Sequence, residues 1–208
     1  MKVAFRADAS LEMGTGHIMR CLTLASALRD NGHECLFICR SHSGNLDDSI
    51  RSQGFALHSL PLGRERDQDL AHAEWLGASQ AEDARGCQSL RAEWHPDWLA
   101  VDHYALDHRW ESAVTPATCR LLVIDDLADR RHACDVLLDQ NLGRCSDAYQ
   151  ALVPDHCKSL IGPRFALLRA EFTAMREASL RRRKTAGLTE VLIALGGVDQ
   201  HNHTAKML

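Results

Sequence analysis

His17 closes a short polar loop that also carries Asp8, Ser10, Gly14 and Gly16. The apolar run Val3-Ala4-Phe5 precedes this loop, and apolar residues at helical spacing follow it from Ile18 to Leu28. A strand, a glycine-bearing turn and a helix in that order form the ligand-holding corner of an open α/β sheet. The glycines let a ligand approach the backbone closely. At the first turn of a helix the positive end of the dipole disfavours imidazolium. A histidine placed there is suited to take a proton from water, as general-base catalysis requires. The plainer alternative is a histidine that only caps or packs, and periodicity does not separate the two.

Around it stand residues with two readings each. Asp8 and Ser10 could hold sugar hydroxyls or orient His17, or serve turn and capping chemistry. Arg6 and Arg20 could meet anionic groups, or simply pair with acids. Asp102-His103-Tyr104 ends an apolar run and faces the expected cleft, where one of the three is expected to touch ligand. A second glycine corner runs from Leu195 through Gly196-Gly197 to Thr204. Its open backbone and helix-start N–H groups suit a pyrophosphate, although a plain tight turn has the same composition.

Other chemistries lack their signatures. Asp125, Asp126 and Asp129 suggest a divalent cation, but adjacent side chains point opposite ways and hard cations need several converging oxygens. His132 with Cys134, and His201 with His203, do not have zinc-site spacing. Gly14-Thr15-Gly16 is only the start of a dinucleotide fingerprint, so NAD is not expected. No nucleophile elbow or P-loop is present. Neither a metal nor a cofactor is therefore expected.

The elements that position these residues follow from apolar pattern. Strands are expected at 35–39, 55–60, 98–101, 121–124, 136–138, 158–161 and 191–195, beside the first one at 3–5. Helices are expected at 17–31, 45–53 and 165–183, with another starting at Asn202, and the charged, Ala-rich composition of residues 63–95 gives a further one at 67–91. Three of the runs end in acidic or amide groups: Asp102, Asp125-Asp126 and Asp139-Gln140-Asn141. Polar groups at the carboxyl ends of parallel strands line the ligand crevice of such a sheet. The class is thus α/β, a Rossmann-like parallel sheet. Residues 1–162 are read as the first domain, 163–187 as a linker helix and 188–208 as the beginning of a second α/β domain that the chain mostly lacks.

Composition narrows the partners. A net charge of −4 and 5% aromatic residues provide neither a basic stripe nor stacking platforms, so no nucleic-acid partner is expected. No signal-peptide core and no run of about 20 apolar residues is seen, which points to a cytoplasmic protein with no membrane partner. Eight cysteines without disulfide rhythm read as reduced thiols. A monomer is expected.

Taken in order, FRADAS, GTGHIMRCLTLA, DHYALD, IDDLADRRH, CDVLLDQN, GPRFALLR and LGGVDQHNHT resemble the UDP-2,4-diacetamido-2,4,6-trideoxy-β-L-altropyranose hydrolases of pseudaminic acid biosynthesis. The resemblance runs from Phe5 to Thr204, and its specificity lies in the combination. It implies a GT-B arrangement like that of the lipid II-forming N-acetylglucosaminyltransferase, two Rossmann-like domains facing across a cleft. It implies metal-independent hydrolysis of the C1–O bond of a small UDP-sugar with inversion, His17 activating the water. By the same resemblance Arg6, Asp8, Gly14, Gly16 and Tyr104 are sugar-side contacts, and Gly197, Asp199, Asn202 and Thr204 face the diphosphate. Uridine would be held largely by the mostly missing second domain. Two other readings are a glycosyltransferase of the same fold and a sugar-nucleotide-binding module without catalysis.

Overall fold

The structure, a computed structural model, describes residues 1–185, 187–195, 199 and 202–208. Its strands are β1 (Lys2–Ala7), β2 (Glu34–Arg40), β3 (Ala56–Leu60), β4 (Trp98–Asp102), β5 (Arg120–Ile124), β6 (Val136–Asp139) and β7 (Lys158–Ile161). They form one parallel sheet in the order β3-β2-β1-β4-β5-β6-β7. Strands covered on both faces must be apolar along their length, which is why each coincides with a continuous apolar run. The expected strand positions from 3 to 161 are all occupied, within about two residues at their ends.

Alternate side chains of β1 feed two cores. Val3, Phe5 and Ala7 join Cys21, Leu22 and Ala25 of helix α1 (Gly16–Asp30) and Ile50 of α2 (Asp47–Ser52). Phe5 stacks on Phe37 with ring centroids 5.0 Å apart; truncating either to alanine costs about 3–5 kcal/mol in such a core. Ala4 faces the other way, with Ala84 and Cys87 of α3 (Gln80–Trp94) and Trp110 and Val114 of α4 (His108–Val114). Arg6 shares that second face and is fully buried.

From β1 the chain builds outward to β2 and β3, and from β4 it builds the other way to β7. Between β1 and β4 the strand order reverses, and the carboxyl ends of such a pair frame the ligand crevice. Ala7 is in register with Asp102 there.

Three expected elements differ. The helix expected at 67–91 begins only at Gln80 and runs to Trp94. Ser79 caps it by accepting the Glu82 N–H, and the Asp67 carboxylate accepts the Gln80 N–H, so both are committed to a helix start. Before that lies only a short 3-10 turn, Ala73–Leu76, ended by Gly77 at φ +70°. The helix expected at 165–183 is α5 (Ala170–Arg183), entered through an extended Arg169. Ahead of it the Leu167 N–H is taken by the Gln140 side chain at 2.9 Å, outside any helical ladder. Residues 191–195 form no strand; no described neighbour supplies the ladder bonds a strand needs. The helix expected from Asn202 is α6 (His203–Met207). Among the described residues no helix is long and apolar enough to cross a membrane.

Candidate active site

The loop after β1 is held by its own chemistry. The Ser10 hydroxyl accepts the N–H groups of Glu12 and Met13, and its carbonyl accepts the Gly14 N–H at 2.9 Å. Gly14 sits at φ +75°, a conformation that costs glycine nothing and side-chain-bearing residues about 1–2 kcal/mol. Ser10 thus serves the turn. Gly16 opens α1, and a Cβ there would meet nothing within 4 Å, so packing alone leaves room for a larger residue.

His17 follows, in the first turn of α1 and 6% exposed. Its Nδ1 lies 2.6 Å from Oδ1 of Asp102, at the end of β4 and 85 residues away in sequence. Asp102 is fully buried and also receives Nε and Nη2 of Arg20. Burial works against its charge, but His17 and Arg20 outweigh that and hold the carboxyl down at about 2. An ionised carboxylate at Nδ1 selects the Nδ1–H tautomer. Nε2 then carries the lone pair. Arg20 Nη2 also approaches Nδ1, at 3.3 Å, and the shorter contact to the carboxylate decides the tautomer.

Arg20 continues the chain of charges outward, donating Nη1 to Oδ2 of Asp126 at 2.9 Å. The Tyr104 hydroxyl donates to the other oxygen of Asp126. Burial raises the phenol well above its ordinary range, and the hydrogen bond and charge of Asp126 raise it further, so it stays protonated. The Tyr104 ring stands edge-on to the His17 imidazole, with centroids 4.6 Å apart. His72 and Trp75, from the 3-10 turn region, complete an aromatic wall with centroids 5.4 and 5.8 Å from Tyr104.

Arg6 and Asp8 lie behind this front, each 0% exposed. Arg6 grips Asp83 of α3 through Nε at 3.0 Å and Nη2 at 2.7 Å, and gives Nη1 to Asp8 at 2.5 Å. Asp83 also receives Arg40 and the Trp110 indole. Asp8 accepts the Arg40 N–H at 2.7 Å, tying the end of β1 to the end of β2, and its second oxygen faces His103 Nε2 at 3.2 Å. Burial opposes the charge on Asp8, and Arg6 and His103 overcome it, keeping the carboxyl well below its ordinary range.

The remaining aspartates are also engaged. Asp125 pairs with Arg130 at 2.7 Å and receives the Tyr149 hydroxyl, while Asp129 pairs with the same Arg130. His132 Nδ1 meets Glu111 at 2.7 Å. Among the described residues no group of three His, Cys, Asp or Glu side chains could hold a metal ion. At the second corner both carboxylate oxygens of Asp199 accept the His203 and Thr204 N–H groups, and Asn202, at φ +49°, caps the same turn. Gly197 lies outside the described residues.

The structure therefore brings His17, Arg20, Asp102, Tyr104 and Asp126 together at the switch point. Asp126 was legible only as a crevice-lining strand end, and His72 and Trp75 were not legible as site residues. Asp126 carried one signal, its place at the end of an apolar run, whereas His72 and Trp75 fell in a stretch with helical composition.

No protein-family model matches the chain. Over 203 residues it is 30% identical to the UDP-2,4-diacetamido-2,4,6-trideoxy-beta-L-altropyranose hydrolase of Campylobacter jejuni, an alignment covering 97% of this chain and 62% of the hydrolase. This chain is a relative of that hydrolase. It is also 25% identical over 213 residues to an uncharacterized protein of Methanocaldococcus jannaschii, spanning 39% of that protein. The chain thus spans less than two thirds of the length of either relative. In fold it is similar to MurG of Acinetobacter baumannii, with a TM-score of 0.51 over 76% of this chain and 44% of MurG, at 12% identity. The parallel sheet with helices on both faces is accordingly of the kind found in GT-B enzymes.

Proposed function

We propose that this chain is the catalytic, sugar-side part of a UDP-sugar hydrolase that cleaves the glycosidic C1–O bond of UDP-2,4-diacetamido-2,4,6-trideoxy-β-L-altrose. The observation that carries this reading is the 2.6 Å contact from His17 Nδ1 to a buried Asp102 at the switch point of the sheet. The relationship to the Campylobacter jejuni hydrolase supports the substrate class.

In this reading Asp102 accepts Nδ1–H and leaves Nε2 as the general base. Nε2 takes a proton from water while the water oxygen forms a bond to C1. The C1–O bond breaks, and its electron pair leaves with the β-phosphate oxygen as UDP. A single displacement inverts the anomeric carbon. Asp102 also steadies the imidazolium as it forms, and Arg20 fixes Asp102 in place, the orienting role that the third member of such constellations plays.

Tyr104, with His72 and Trp75, forms the wall against which the sugar's apolar 6-deoxy carbon and acetamido methyls pack. Gly14 and Gly16 give the sugar its close approach to the loop. Arg6 and Asp8, both sealed from solvent, act on the reaction by holding the ends of β1 and β2 rather than by touching the sugar. Gly197, Asn202 and Thr204 face the diphosphate in this reading, and Asp199 organises the helix start they belong to. In this reading residues 1–162 are the first domain of a two-domain enzyme, 163–187 a linker helix and 188–208 the start of the nucleotide-side domain; the protein works as a monomer in the cytoplasm and needs no cofactor.

Hydrolysis in ¹⁸O-labelled water tests the reading: label is expected in the free sugar. Label in UDP would mean attack at phosphorus and refute the scheme. UDP release that depends on an added acceptor alcohol would instead favour a glycosyltransferase. In the same assay His17→Ala is expected to lose activity by at least about 10³-fold with its circular dichroism unchanged. Turnover within a few-fold of wild type would remove His17 from the mechanism.

A further inference from the structure

Cys134 and Cys157 lie at the opposite end of the sheet, just before the amino ends of the paired strands β6 and β7. Their sulfur atoms are 3.5 Å apart. A disulfide needs about 2.05 Å, so closing the bond asks for about 1.5 Å of approach. The chain around Cys157 can supply it. Cys157 ends a turn, its N–H bonded to the Pro154 carbonyl at 2.9 Å, with Asp155 and His156 exposed beside it. Cys134 is fully buried and provides a fixed anchor.

We propose that Cys134 and Cys157 are an oxidisable thiol pair, a modification site at which a small hydroperoxide forms an intramolecular disulfide.

The division of labour follows from the surroundings. Either sulfur can donate across this contact; the pairing with Cys134 lowers the Cys157 thiol against the opposing effect of its partial burial, and the Leu137 backbone and His132 lower it further. The same hydrogen bond, with burial behind it, raises Cys134 well above its ordinary range. Thiolate character thus sits on the sulfur nearer solvent, as attack on an oxidant requires. By contrast the thiols of Cys21, Cys39 and Cys87 are pushed up by burial in the core.

The Cys157 thiolate attacks one peroxide oxygen, breaking the O–O bond and leaving a sulfenic acid on Cys157, while the other oxygen takes a proton and departs as water from hydrogen peroxide or as an alcohol from an organic hydroperoxide. Cys134 sulfur then attacks the sulfenyl sulfur, its proton leaving with the sulfenic hydroxyl as water. Two thiols are oxidised and one hydroperoxide is reduced. A reversible pair of this kind is compatible with a reducing compartment, where disulfides are transient.

The test uses the full chain, reduced and freed of reductant, then treated with stoichiometric hydrogen peroxide. After alkylation, peptides are mapped by mass without reductant. The expected product is a linked peptide pair containing Cys134 and Cys157, lighter by two hydrogens and restored to two alkylatable thiols by dithiothreitol. Cys157→Ser should abolish the link, and Cys145→Ser, at an exposed cysteine, should leave it intact. Full alkylation of both cysteines after peroxide overturns the proposal. So does over-oxidation of Cys157 without a link, or a link that joins Cys145 instead. Should Cys157→Ser fail to fold, the wild-type map alone decides.

Discussion

Asp102→Asn is the substitution that most directly separates a working base from a packed histidine. Wild-type Asp102 offers acceptors only: Oδ1 to His17 at 2.6 Å and to Arg20, and Oδ2 to Arg20 again. Asparagine keeps the shape but replaces one oxygen with an amino group. At the Oδ2 position that group would oppose both Arg20 Nε and the Cys21 thiol, and at the Oδ1 position only Arg20 Nη2, so it is expected to face His17. There it donates to Nδ1 and moves the ring proton to Nε2, the atom that must accept from water. The expected fall in kcat for UDP release is about 10²- to 10⁴-fold with KM little changed. Stability moves as well. Asp102 is held at about 2 against an ordinary 3.8, because His17 and Arg20 outweigh its burial. That difference contributes about 2 kcal/mol, present above about pH 4 and lost as the pH falls through about 2. Asp102→Asn should therefore lower the melting temperature at pH 7 by about 5 °C. The assays are continuous UDP detection under saturating UDP-sugar and a thermal melt. A kcat within about threefold of wild type, with the melt shifted as expected, would show that Asp102 only braces the fold.

Further outcomes follow from the same geometry. Arg6→Met should strip Asp8 and Asp83 of their shared buried cation and cost about 3–5 kcal/mol in urea unfolding; a loss under 1 kcal/mol, a threshold of about the median surface pair, would mean the network is not stabilising. His132 is raised to about 9, since Asp125 and Glu111 outweigh its burial. Its charge therefore contributes about 3 kcal/mol below about pH 6.5, a contribution lost as the pH rises through about 9. Urea midpoints of the wild type should fall across that window relative to those of His132→Gln, and parallel curves would contradict the assignment. Trp75→Ala should raise KM for the UDP-sugar by about tenfold and leave kcat within about threefold, as removal of uniform binding does. An unchanged KM would take the aromatic wall out of the sugar site.

Local pattern was enough for much of this protein because its strands are covered on both faces. Runs such as Leu121-Leu122-Val123-Ile124 could only be buried, and the acids that end them could only sit at a sheet edge. His17 was legible for the same reason, since glycines, loop and helix start are contiguous. Composition misled where it had no periodicity to check it. The Ala-rich stretch before Gln80 looked helical, yet Asp67 and Ser79 are spent on capping a helix that starts later. That misreading hid His72 and Trp75.

What the sequence by itself determined was the parallel α/β sheet, its polar carboxyl ends and the corner that presents His17. The tertiary structure alone decided who His17 works with. Asp102 reaches it only because β4, not β2 or β3, flanks β1 on the far side, and Arg6 finds Asp83 only because α3 packs on the face that Ala4 also covers. Those partners are 85 and 77 residues distant in the chain. Strand order and the choice of sheet face arise from the packing of whole elements against one another, and it is that packing that buries a carboxylate against an imidazole.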